Sequence, residues 1–283
     1  MKVSVCIPAY KQIKYLKKLL DSIALQTYTD FEIILTDDTP DDSVFSFIKK
    51  HPLTEQISYY KNNPAKGSPA NWNEAIRLAK GDYIKIMHHD DWFYFPDSLE
   101  KFVGVMENNP GVGFAFSASR IKYANWFKRR INRLTPEQFK EIEADPVNLF
   151  LANKVGGPSA TIYRRGENMN FDELLVWLVD IDFYISFFSG ATSVFYIDEP
   201  LICTITNAAH SITTEVQQNA GVEIFENFYV FNKHKHLLKS NEVLEMKCKE
   251  HLQQLLKRFK MDSEEAVRKT GYKGEIPAGI FTG

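Results

Sequence analysis

The sequence contains few cysteines and lacks the glycine-rich motifs that commonly hold phosphate groups. Cys6, Cys203 and Cys248 show no paired spacing, which predicts a reducing compartment and argues against a zinc knuckle. The first predicted turn from strand to helix, residues 8–12, has no glycine. A dinucleotide-binding turn needs Gly-x-Gly-x-x-Gly and a P-loop also needs glycine, so we expect neither motif.

A large charge of one sign and a long uninterrupted apolar run are also missing. The formal net charge of −2 gives no reason to expect nucleic-acid binding. Asp180 and Asp182 interrupt the longest apolar region, 174–197, and a central Asp costs about 2.5–3.5 kcal/mol to insert into a bilayer. We therefore expect this region to be buried protein interior. The apolar run near the N-terminus is too short for a signal peptide, which favours a cytoplasmic protein.

Strand and helix patterns alternate regularly over the first part of the chain. Their order is β-α-β-α-β-α-β, and each connection is long enough for a right-handed parallel crossover. The predicted strands are 3–7, 31–35, 57–60 and 84–87, then 112–117, 161–163, 194–197 and 201–205. From residue 221 the pattern changes to helices, at 224–238, 242–259 and from 263 onward. The sequence therefore predicts a doubly wound α/β body with helices packed against it near the C-terminus.

Two adjacent carboxylates follow one of these strands. Asp90 and Asp91 come directly after the apolar stretch 84–87, and open α/β sheets bind ligands at the carboxyl ends of their strands. Adjacent carboxylates repel each other unless a cation joins them. Mg²⁺ or Mn²⁺, which usually serve bound phosphates, suit such oxygen ligands. The alternative is a solvated turn, since Asp also favours turns for local reasons.

Four other segments have both a functional and a structural interpretation. Asp180 could be a general base with a raised pKa, or it could cap a helix or pair with an arginine. The loop 156–160 could approach a ligand closely or be a plain turn. The basic and aromatic stretch 120–133 could be a solvated helix face or a patch for anionic lipid or acceptor phosphate. In 233–236, the lysines favour a solvated helix face over a metal site.

Several motifs in order along the chain resemble the family 2 glycosyltransferases with the GT-A fold. They are Val-Ser-Val-Cys-Ile-Pro-Ala-Tyr at the start, Asp37-Asp38 after the second strand, Asn73 in the helix before Gly81-Asp82-Tyr83-Ile84, and His89-Asp90-Asp91 after that strand. The resemblance covers about residues 1–205. It implies an α/β fold with a mixed, mainly parallel sheet flanked by helices. It also implies a nucleotide-binding half at about 1–117, an acceptor half at 118–205 and a helical extension at 206–283.

The resemblance implies an enzyme that transfers a sugar with inversion. The donor would be a UDP- or dTDP-sugar, and the acceptor would be the hydroxyl of a saccharide or of a lipid-linked molecule. A divalent cation, Mn²⁺ or Mg²⁺, would assist the reaction. The implied role is in the synthesis of cell-surface polysaccharide or lipopolysaccharide. The protein would then be cytoplasmic and peripheral at the inner face of the membrane, with 120–133 as the candidate contact.

Individual residues receive candidate roles from the same resemblance. The nucleotide would be bound by Pro8, Ala9, Tyr10, Asp38, Asn73 and Asp90, with Asp38 on the base and Asp90 bridging the ribose and the metal. The metal would be held by Asp91 and Asp90, with His88 and His210 as further candidates. The floor beneath the donor sugar and acceptor would be Gly156, Gly157, Pro158 and Ser159. The catalytic base would be Asp180, with Asp182 as the fallback.

Two residues depart from the pattern of the family. His88 stands where many relatives have the first Asp of Asp-x-Asp-Asp, and Trp72 replaces the Arg that commonly precedes the Asn. Imidazole in place of a carboxylate would shift metal preference towards Mn²⁺. A catalytically impaired nucleotide-binding scaffold is therefore an alternative. A sugar nucleotidyltransferase is another, although the Gly-rich signature with Arg and Lys expected after its first strand is missing.

Overall fold

The computed structural model describes residues 1–123, 129–166, 169–190, 192–206, 216, 218–238 and 240–276. The chain divides into two compact units, and it passes between them several times. The first unit comprises Met1–Thr135, Val155–Glu173 and Thr192–Asn207, and the second comprises Pro136–Lys154, Leu174–Ala191 and Ala208–Gly283. The predicted domain boundary near residue 205 is close to the last of these crossings.

The first unit is built on one mixed sheet, which contains nine strands in the described part of the chain. The strands are β1 (Val3–Ala9), β2 (Phe31–Asp37), β3 (Ile57–Lys61), β4 (Tyr83–Ile86), β5 (Trp92–Phe93), β6 (Val112–Tyr123), β7 (Arg129–Asn132), β8 (Thr161–Arg164) and β9 (Ser193–Thr206). Their order is β3-β2-β1-β4-β8-β6-β9-β5, with β7 paired to β6. The strands β1 to β4 pair in parallel, and β8 joins β4 and β6 in antiparallel fashion. The predicted α/β fold is confirmed.

Helices cover this sheet and supply its core. They are α1 (Ile13–Ala24), α2 (Ser43–Ile48), α3 (Ala70–Leu78) and α4 (Ser98–Asn108). Every residue of β1 is buried, because the strand has neighbours on both sides and helices on both faces. Leu16, Leu19 and Leu20 of α1 recur at helical spacing and are fully buried in the same core. Burial of this apolar surface is the main force that holds the unit together.

Pro8 and Gly81 determine how β1 meets its neighbour β4. Pro8 was expected to end the first strand, but β1 continues to Ala9. Proline is tolerated there because the pairing of β1 with β4 stops at Cys6, so the missing N–H leaves no gap in that ladder. At the other end, a Cβ on Gly81 would lie 2.7 Å from the backbone nitrogen of Ser4. Glycine therefore lets β4 start close beside β1.

The second unit is helical. Its helices are α5 (Pro136–Ala144), α6 (Asn148–Leu151), α7 (Val179–Phe188), α8 (Ala220–His234), α9 (Glu242–Phe259) and α10 (Ser263–Thr270). Asn219 caps α8 by accepting from the N–H of Gly221 at 3.0 Å, and Asn241 caps α9 by accepting from the N–H of Leu244 at 3.0 Å. The predicted C-terminal helices are confirmed. Within the residues described, no helix has both the length and the apolar character needed to cross a membrane.

Two predictions of secondary structure were wrong. The helix proposed for 120–133 is not present in its described residues, since 120–123 end β6 and 129–132 form β7. The strands proposed at 194–197 and 201–205 are one strand, β9. Its pairing with β6 shifts register between Ile197 and Ile202. The segment around Pro200 is therefore a local irregularity within a strand and not a turn between two.

Candidate functional site

The carboxyl ends of three neighbouring parallel strands form one edge of the sheet. The strands lie in the order β2-β1-β4, and their ends carry Asp38, Tyr10 and the segment 88–91 respectively. The chain passes from β1 to β2 on one side and, after β3, crosses back to β4 on the other. The sheet therefore changes winding direction between β1 and β4, and such a point is where open α/β sheets bind ligands.

The turn that follows β1 has an unusual backbone. Lys11 and Gln12 both have positive φ, at 56° and 51°, a conformation that costs free energy for residues with a Cβ. A hydrogen bond from the Lys11 N–H to Thr39 Oγ1 at 2.7 Å helps to hold this turn. Tyr10 remains 49% exposed. Pro8 and Ala9 are buried in the strand below it.

Asp38 is buried and holds a neighbouring loop through its carboxylate. It accepts from Asn62 Nδ2 at 2.8 Å, from the Lys66 N–H at 3.0 Å and from the Gly67 N–H at 2.7 Å. Gly67 has a φ of +77°, which glycine adopts at no steric cost. The carboxylate therefore organises the 62–67 loop around the edge of the sheet, where a nucleobase contact is predicted.

Asn73 and Asn71 have different partners although both lie in α3. The amide of Asn73 donates to Phe171 O at 2.9 Å and accepts from the Phe171 N–H at 2.8 Å. Asn71 Oδ1 accepts from Asn62 Nδ2 at 2.9 Å, and its Nδ2 donates to the carbonyls of β1 and β2 at Ala9 and Thr36, each at 3.4 Å. Asn71 therefore binds the ends of β1 and β2 directly. This residue was not identified from the sequence.

A cavity of about 970 Å³ lies in the first unit beside the 62–67 loop. It is lined by Lys61, Asn62, Lys66, Asn73, Glu74, Arg77, Phe171 and Glu173, together with other loop residues. The acidic pair is not part of its wall. Asn62 connects this cavity to the network around Asp38, so the cavity and the strand ends share a structural support.

The acidic pair contacts the loop 156–159 through Ser159. The sequence had assigned the pair and this loop to the same candidate site. Ser159 is fully buried, its Oγ accepts from the His88 N–H at 2.9 Å, and it also bonds the carboxyl of Asp91. Asp91 is buried, whereas Asp90 is half-buried. Burial, and secondly the adjacent charge of Asp90, raise the pKa of Asp91 well above its usual range. A cation bound beside the pair would favour the ionised form of Asp91.

Lys85 is a buried cation that the sequence analysis did not identify as part of the site. Its Nζ donates to Ser159 O and lies 4.8 Å from the ring centroid of Phe102. Burial lowers the pKa of Lys85 to about 7, and the charge of Asp91 opposes this change. The ammonium thus supports the 156–159 loop from within the core. A lysine between two isoleucines in a buried strand was the only signal for it in the sequence.

The donor set around the acidic pair fits a divalent cation that is shared with a phosphate. No group of three or more His, Cys, Asp or Glu side chains in the described residues could hold a metal ion by itself. Mg²⁺ and related ions are commonly bound by one or two carboxylates and complete their coordination with substrate phosphates and water. Asp90 and Asp91 match that pattern. His210, the other candidate contact, lies outside the described residues.

His88 and Trp72, the two departures from the family pattern, contact each other. Their ring centroids are 4.5 Å apart, and Trp72 also meets Phe171 edge to face at 5.2 Å. Burial lowers the pKa of His88 to about 4, so its ring is neutral at neutral pH. Its Nε2 is buried without a hydrogen-bond partner in the described structure. A neutral imidazole nitrogen of this kind is available to a metal or to a ligand donor.

In the second unit, Asp180 lies in the first turn of α7. Its Oδ2 accepts from Asn153 Nδ2 at 2.7 Å and its Oδ1 accepts from the Ile181 N–H at 2.9 Å. The side chain is partly buried, and desolvation raises the pKa of Asp180 to about 7. A carboxyl group that titrates near neutral pH has the protonation behaviour of a general base.

Asp182 has different surroundings, although it lies only two residues away on α7. It is buried and lies 2.8 Å from Lys233 Nζ and 2.8 Å from His234 Nε2. His234 is 4% exposed, so the prediction that 233–236 forms a solvated face was wrong for this residue. Both oxygens of Asp182 have partners, which suits a structural ion pair.

Glu226 was not identified from the sequence and anchors the segment before α7. It is 1% exposed and accepts from the N–H groups of Val176 at 2.7 Å, Trp177 at 2.9 Å and Leu178 at 2.7 Å. These three residues directly precede α7, which begins at Val179. A buried carboxylate on α8 therefore fixes the end of α7 that carries Asp180.

Comparisons with known proteins agree on one family and one fold. The sequence model described as glycosyl transferase family 2 matches residues 4–169, more than half of the chain. An uncharacterized glycosyltransferase of Haemophilus influenzae is 26% identical over 234 residues, which are 81% of this chain and 77% of that protein. An uncharacterized glycosyltransferase of Methanocaldococcus jannaschii is 30% identical over 187 residues, 65% of this chain and 63% of its own length.

Two solved structures have a similar fold at low sequence identity. TarS of S. aureus in complex with UDP-GlcNAc has a TM-score of 0.65 and 18% identity, over 91% of this chain and 72% of that one. The mannosyltransferase PcManGT of Pyrobaculum calidifontis, in complex with GDP-Man and Mn²⁺, has a TM-score of 0.62 and 16% identity, over 98% of this chain and 77% of that one. These likenesses identify the fold as GT-A-like.

Proposed function

The chain belongs to glycosyl transferase family 2, and from this premise we propose that it transfers a sugar with inversion from a UDP- or dTDP-sugar to an acceptor hydroxyl. As a member it is a glycosyltransferase that uses a nucleotide-sugar donor. The finer proposal rests mainly on the contact of the acidic pair with Ser159 at the winding switch of the sheet. The proposed setting is the synthesis of cell-surface polysaccharide or lipopolysaccharide, with a saccharide or lipid-linked acceptor.

We assign the nucleotide to the carboxyl edge of β2-β1-β4. Tyr10 is exposed at the end of β1 and can stack on a base or ribose. Asp38 would accept from the base through the remaining lone-pair direction of a carboxylate that already takes three N–H bonds. Asn73 would support nucleotide binding indirectly, by holding the wall of the adjacent cavity, because its amide is bonded to the backbone of Phe171.

Asp90 and Asp91 would hold a divalent cation, Mn²⁺ or Mg²⁺, together with the donor diphosphate. When bound, the cation would neutralise the leaving diphosphate as a Lewis acid. Ser159 and the His88 N–H would keep the acidic turn in place. His88 Nε2 is buried, neutral and without a partner in the described structure, which supports it as an additional ligand. PcManGT, a protein of similar fold, binds GDP-Man and Mn²⁺.

Asp180 would take the proton of the acceptor hydroxyl. Its pKa of about 7 lets it be ionised before the reaction and protonated after it. The acceptor oxygen would attack from the face opposite the diphosphate, which inverts the anomeric configuration. Asp182 is a poorer candidate because Lys233 and His234 occupy its oxygens.

A titration of UDP with and without Mn²⁺ tests the proposed metal and nucleotide site. We expect UDP to bind tightly only with Mn²⁺. In Asp91→Asn the fold should remain intact, but Mn²⁺ should no longer tighten the binding of UDP. Metal-independent binding, or no binding, would contradict the assignment. A donor screen that measures release of nucleoside diphosphate then identifies the sugar. Binding of UDP without turnover of any donor by the wild type would favour the scaffold alternative.

A further inference from the structure

Three cations of the first unit gather over two aromatic rings next to the acidic pair. Lys18 Nζ lies 3.2 Å and Lys122 Nζ lies 4.9 Å from the ring centroid of Trp92. Arg120 lies with its guanidinium carbon 4.7 Å from the ring centroid of Tyr94 and donates to the Tyr94 hydroxyl. We call Lys18, Lys122 and Arg120 the cationic cluster. Trp92 directly follows Asp91 in the chain.

The sheet determines this arrangement. Cys203 of β9 pairs with Trp92 of β5 on one side and with Arg120 of β6 on the other. Lys122 is two residues beyond Arg120, so both side chains point to the same face of the sheet. Lys18 reaches that face from α1. The strand pairing that replaced the predicted helix at 120–133 thus builds the cluster.

No carboxylate of the described residues pairs with the cationic cluster. Its members make no salt bridge among those found in the described structure, whereas Lys17, the neighbour of Lys18 on α1, pairs with Asp21 at 2.6 Å. Burial and the nearby ammonium of Lys122 lower the pKa of Lys18 to about 8. Cation–π contacts stabilise each cation, but they do not relieve the repulsion between the two ammonium groups. A bound anion would relieve it.

We propose that the cationic cluster binds a phosphate ester carried by the acceptor. This inference rests on the proposed function, in which the donor diphosphate is neutralised by a divalent cation at Asp90 and Asp91. The cationic cluster is a separate anion site that has no carboxylate partner among the described residues. It therefore fits a second phosphate rather than the donor diphosphate. The lysine and arginine side chains over Trp92 and Tyr94 provide charge-assisted hydrogen-bond donors for the oxygens of this phosphate. A neutral saccharide acceptor would not need such a site.

The test measures binding of inorganic phosphate by calorimetry at constant ionic strength, with tryptophan emission as a second reading because Trp92 lies under the ammonium groups. We expect Lys18→Gln and Lys122→Gln each to weaken phosphate binding about tenfold, the effect of losing one charged hydrogen bond. The matched control, Lys17→Gln, removes the same charge from the same helix and should bind phosphate like the wild type. Equal affinity in all variants, or an equal loss in Lys17→Gln, would overturn the proposal.

The same variants separate this site from the donor site. UDP with Mn²⁺ should bind equally to wild type, Lys18→Gln and Lys122→Gln, and phosphate should still bind when UDP and Mn²⁺ are saturating. Displacement of phosphate by UDP would overturn the assignment to the acceptor. If UDP fails to bind the wild type, the proposed function fails while the phosphate measurement keeps its meaning.

Two further probes identify the source of the phosphate. Binding of glycerol phosphate in solution, lost in Lys18→Gln, would indicate a soluble phosphorylated acceptor. Binding only to vesicles of phosphatidylglycerol and phosphatidylcholine, lost in the same variant, would indicate a lipid-borne phosphate. No lysine-dependent binding to either probe would contradict the proposal.

Discussion

Two carboxylates in α7 are separated by one residue and have opposite chemical surroundings. Side chains two positions apart on a helix do not face each other, so Asp180 and Asp182 point in different directions. Asp180 has amide and backbone donors and a raised pKa. Asp182 has Lys233 and His234. The same residue type therefore serves a proposed proton transfer at one position and an internal ion pair at the other.

Replacing each residue with asparagine should separate the two roles. Asp180→Asn should lower turnover about 100-fold or more, because a base is lost, with thermal stability near the wild type. Asp182→Asn should lower the free energy of unfolding by about 3 kcal/mol, because buried partners lose their counter-charge. Nucleoside diphosphate release and denaturant unfolding measure the two effects. Full activity in Asp180→Asn, with inactive but stable Asp182→Asn, would assign the base to Asp182.

The rate should depend on pH through Asp180. Burial raises the pKa of Asp180 to about 7, and only the ionised form can accept the acceptor proton. Turnover should therefore be highest above pH 7 and fall as the pH decreases through about 7, approaching tenfold per unit. A pH profile of kcat at saturating donor measures this. The residual activity of Asp180→Asn should lack the acid limb, and a flat wild-type profile would refute the assignment.

At the level of single residues, the sequence indicated which segments contribute to the candidate site, but it did not indicate most of the hydrogen bonds that hold them. The resemblance placed the acidic pair and the loop 156–159 in one candidate site, and Ser159 contacts the pair. Lys85 and Asn71 were missed because their importance comes from partners distant in sequence, Ser159 and Asn62. His234 was assigned to solvent because its neighbours in the chain are lysines, and its buried partner Asp182 lies 52 residues away.

At the level of elements, α7 depends on a carboxylate that belongs to another helix. Glu226 of α8 accepts N–H bonds from Val176, Trp177 and Leu178. The sequence around residues 176–178 contains no local signal that these N–H groups would be bound by a carboxylate of α8. Burial is the main cause of the raised pKa of Asp180, and the negative charge of Glu226 raises this pKa further. Glu226 is therefore a positioning residue for the proposed base.

Glu226→Gln should change both stability and the pH profile. The amide has one acceptor oxygen where the carboxylate has two, so we expect a loss of about 1–3 kcal/mol of stability. Removal of the negative charge should lower the pKa of Asp180 and shift the acid limb of kcat to lower pH. Glu223→Gln is the control, since Glu223 is also buried on α8 but bonds Arg258 and the Gln218 N–H. An equal shift in both variants would exclude a specific role for Glu226.

Most elements could be predicted from hydrophobic periodicity, and the exceptions have physical reasons. The basic residues at 120–133 suggested a helix, yet Arg120 and Lys122 alternate as in a strand and pair with β9 and β7. The Asp198-Glu199-Pro200 sequence suggested a turn, but β9 passes through it with a register shift. Local composition cannot report such pairings, because the partner strands are tens of residues away.

At the scale of the whole molecule, the helical unit takes segments from three parts of the chain. Pro136–Lys154 and Leu174–Ala191 belong to it together with the C-terminal part. Asn153 bonds Asp180 from an earlier segment, but Glu226, Lys233 and His234, which hold Asp182 and the residues before α7, all lie after residue 207. The segment that carries Asp180 therefore depends on residues at the far end of the sequence.

A protein that ends at residue 207 should fail to form the helical unit. Loss of α8 leaves Asp182 without its cations and leaves the N–H groups of 176–178 without an acceptor. We expect a low soluble yield, binding of the dye ANS to exposed apolar surface and no transfer activity. Far-UV circular dichroism and thermal unfolding against the full chain measure the effect. An active, cooperatively folded 1–207 protein would show that α8 is not needed to hold α7.

The three buried cysteines are native reporters of local opening. Cys6 and Cys203 lie in the sheet unit and Cys248 lies in the helical unit. Burial raises the pKa of all three thiols, so a thiol-specific reagent can react only when the surrounding structure opens. The rate at which each cysteine is labelled under native conditions would thus give the opening free energy of its own unit, with no added probe and no mutation.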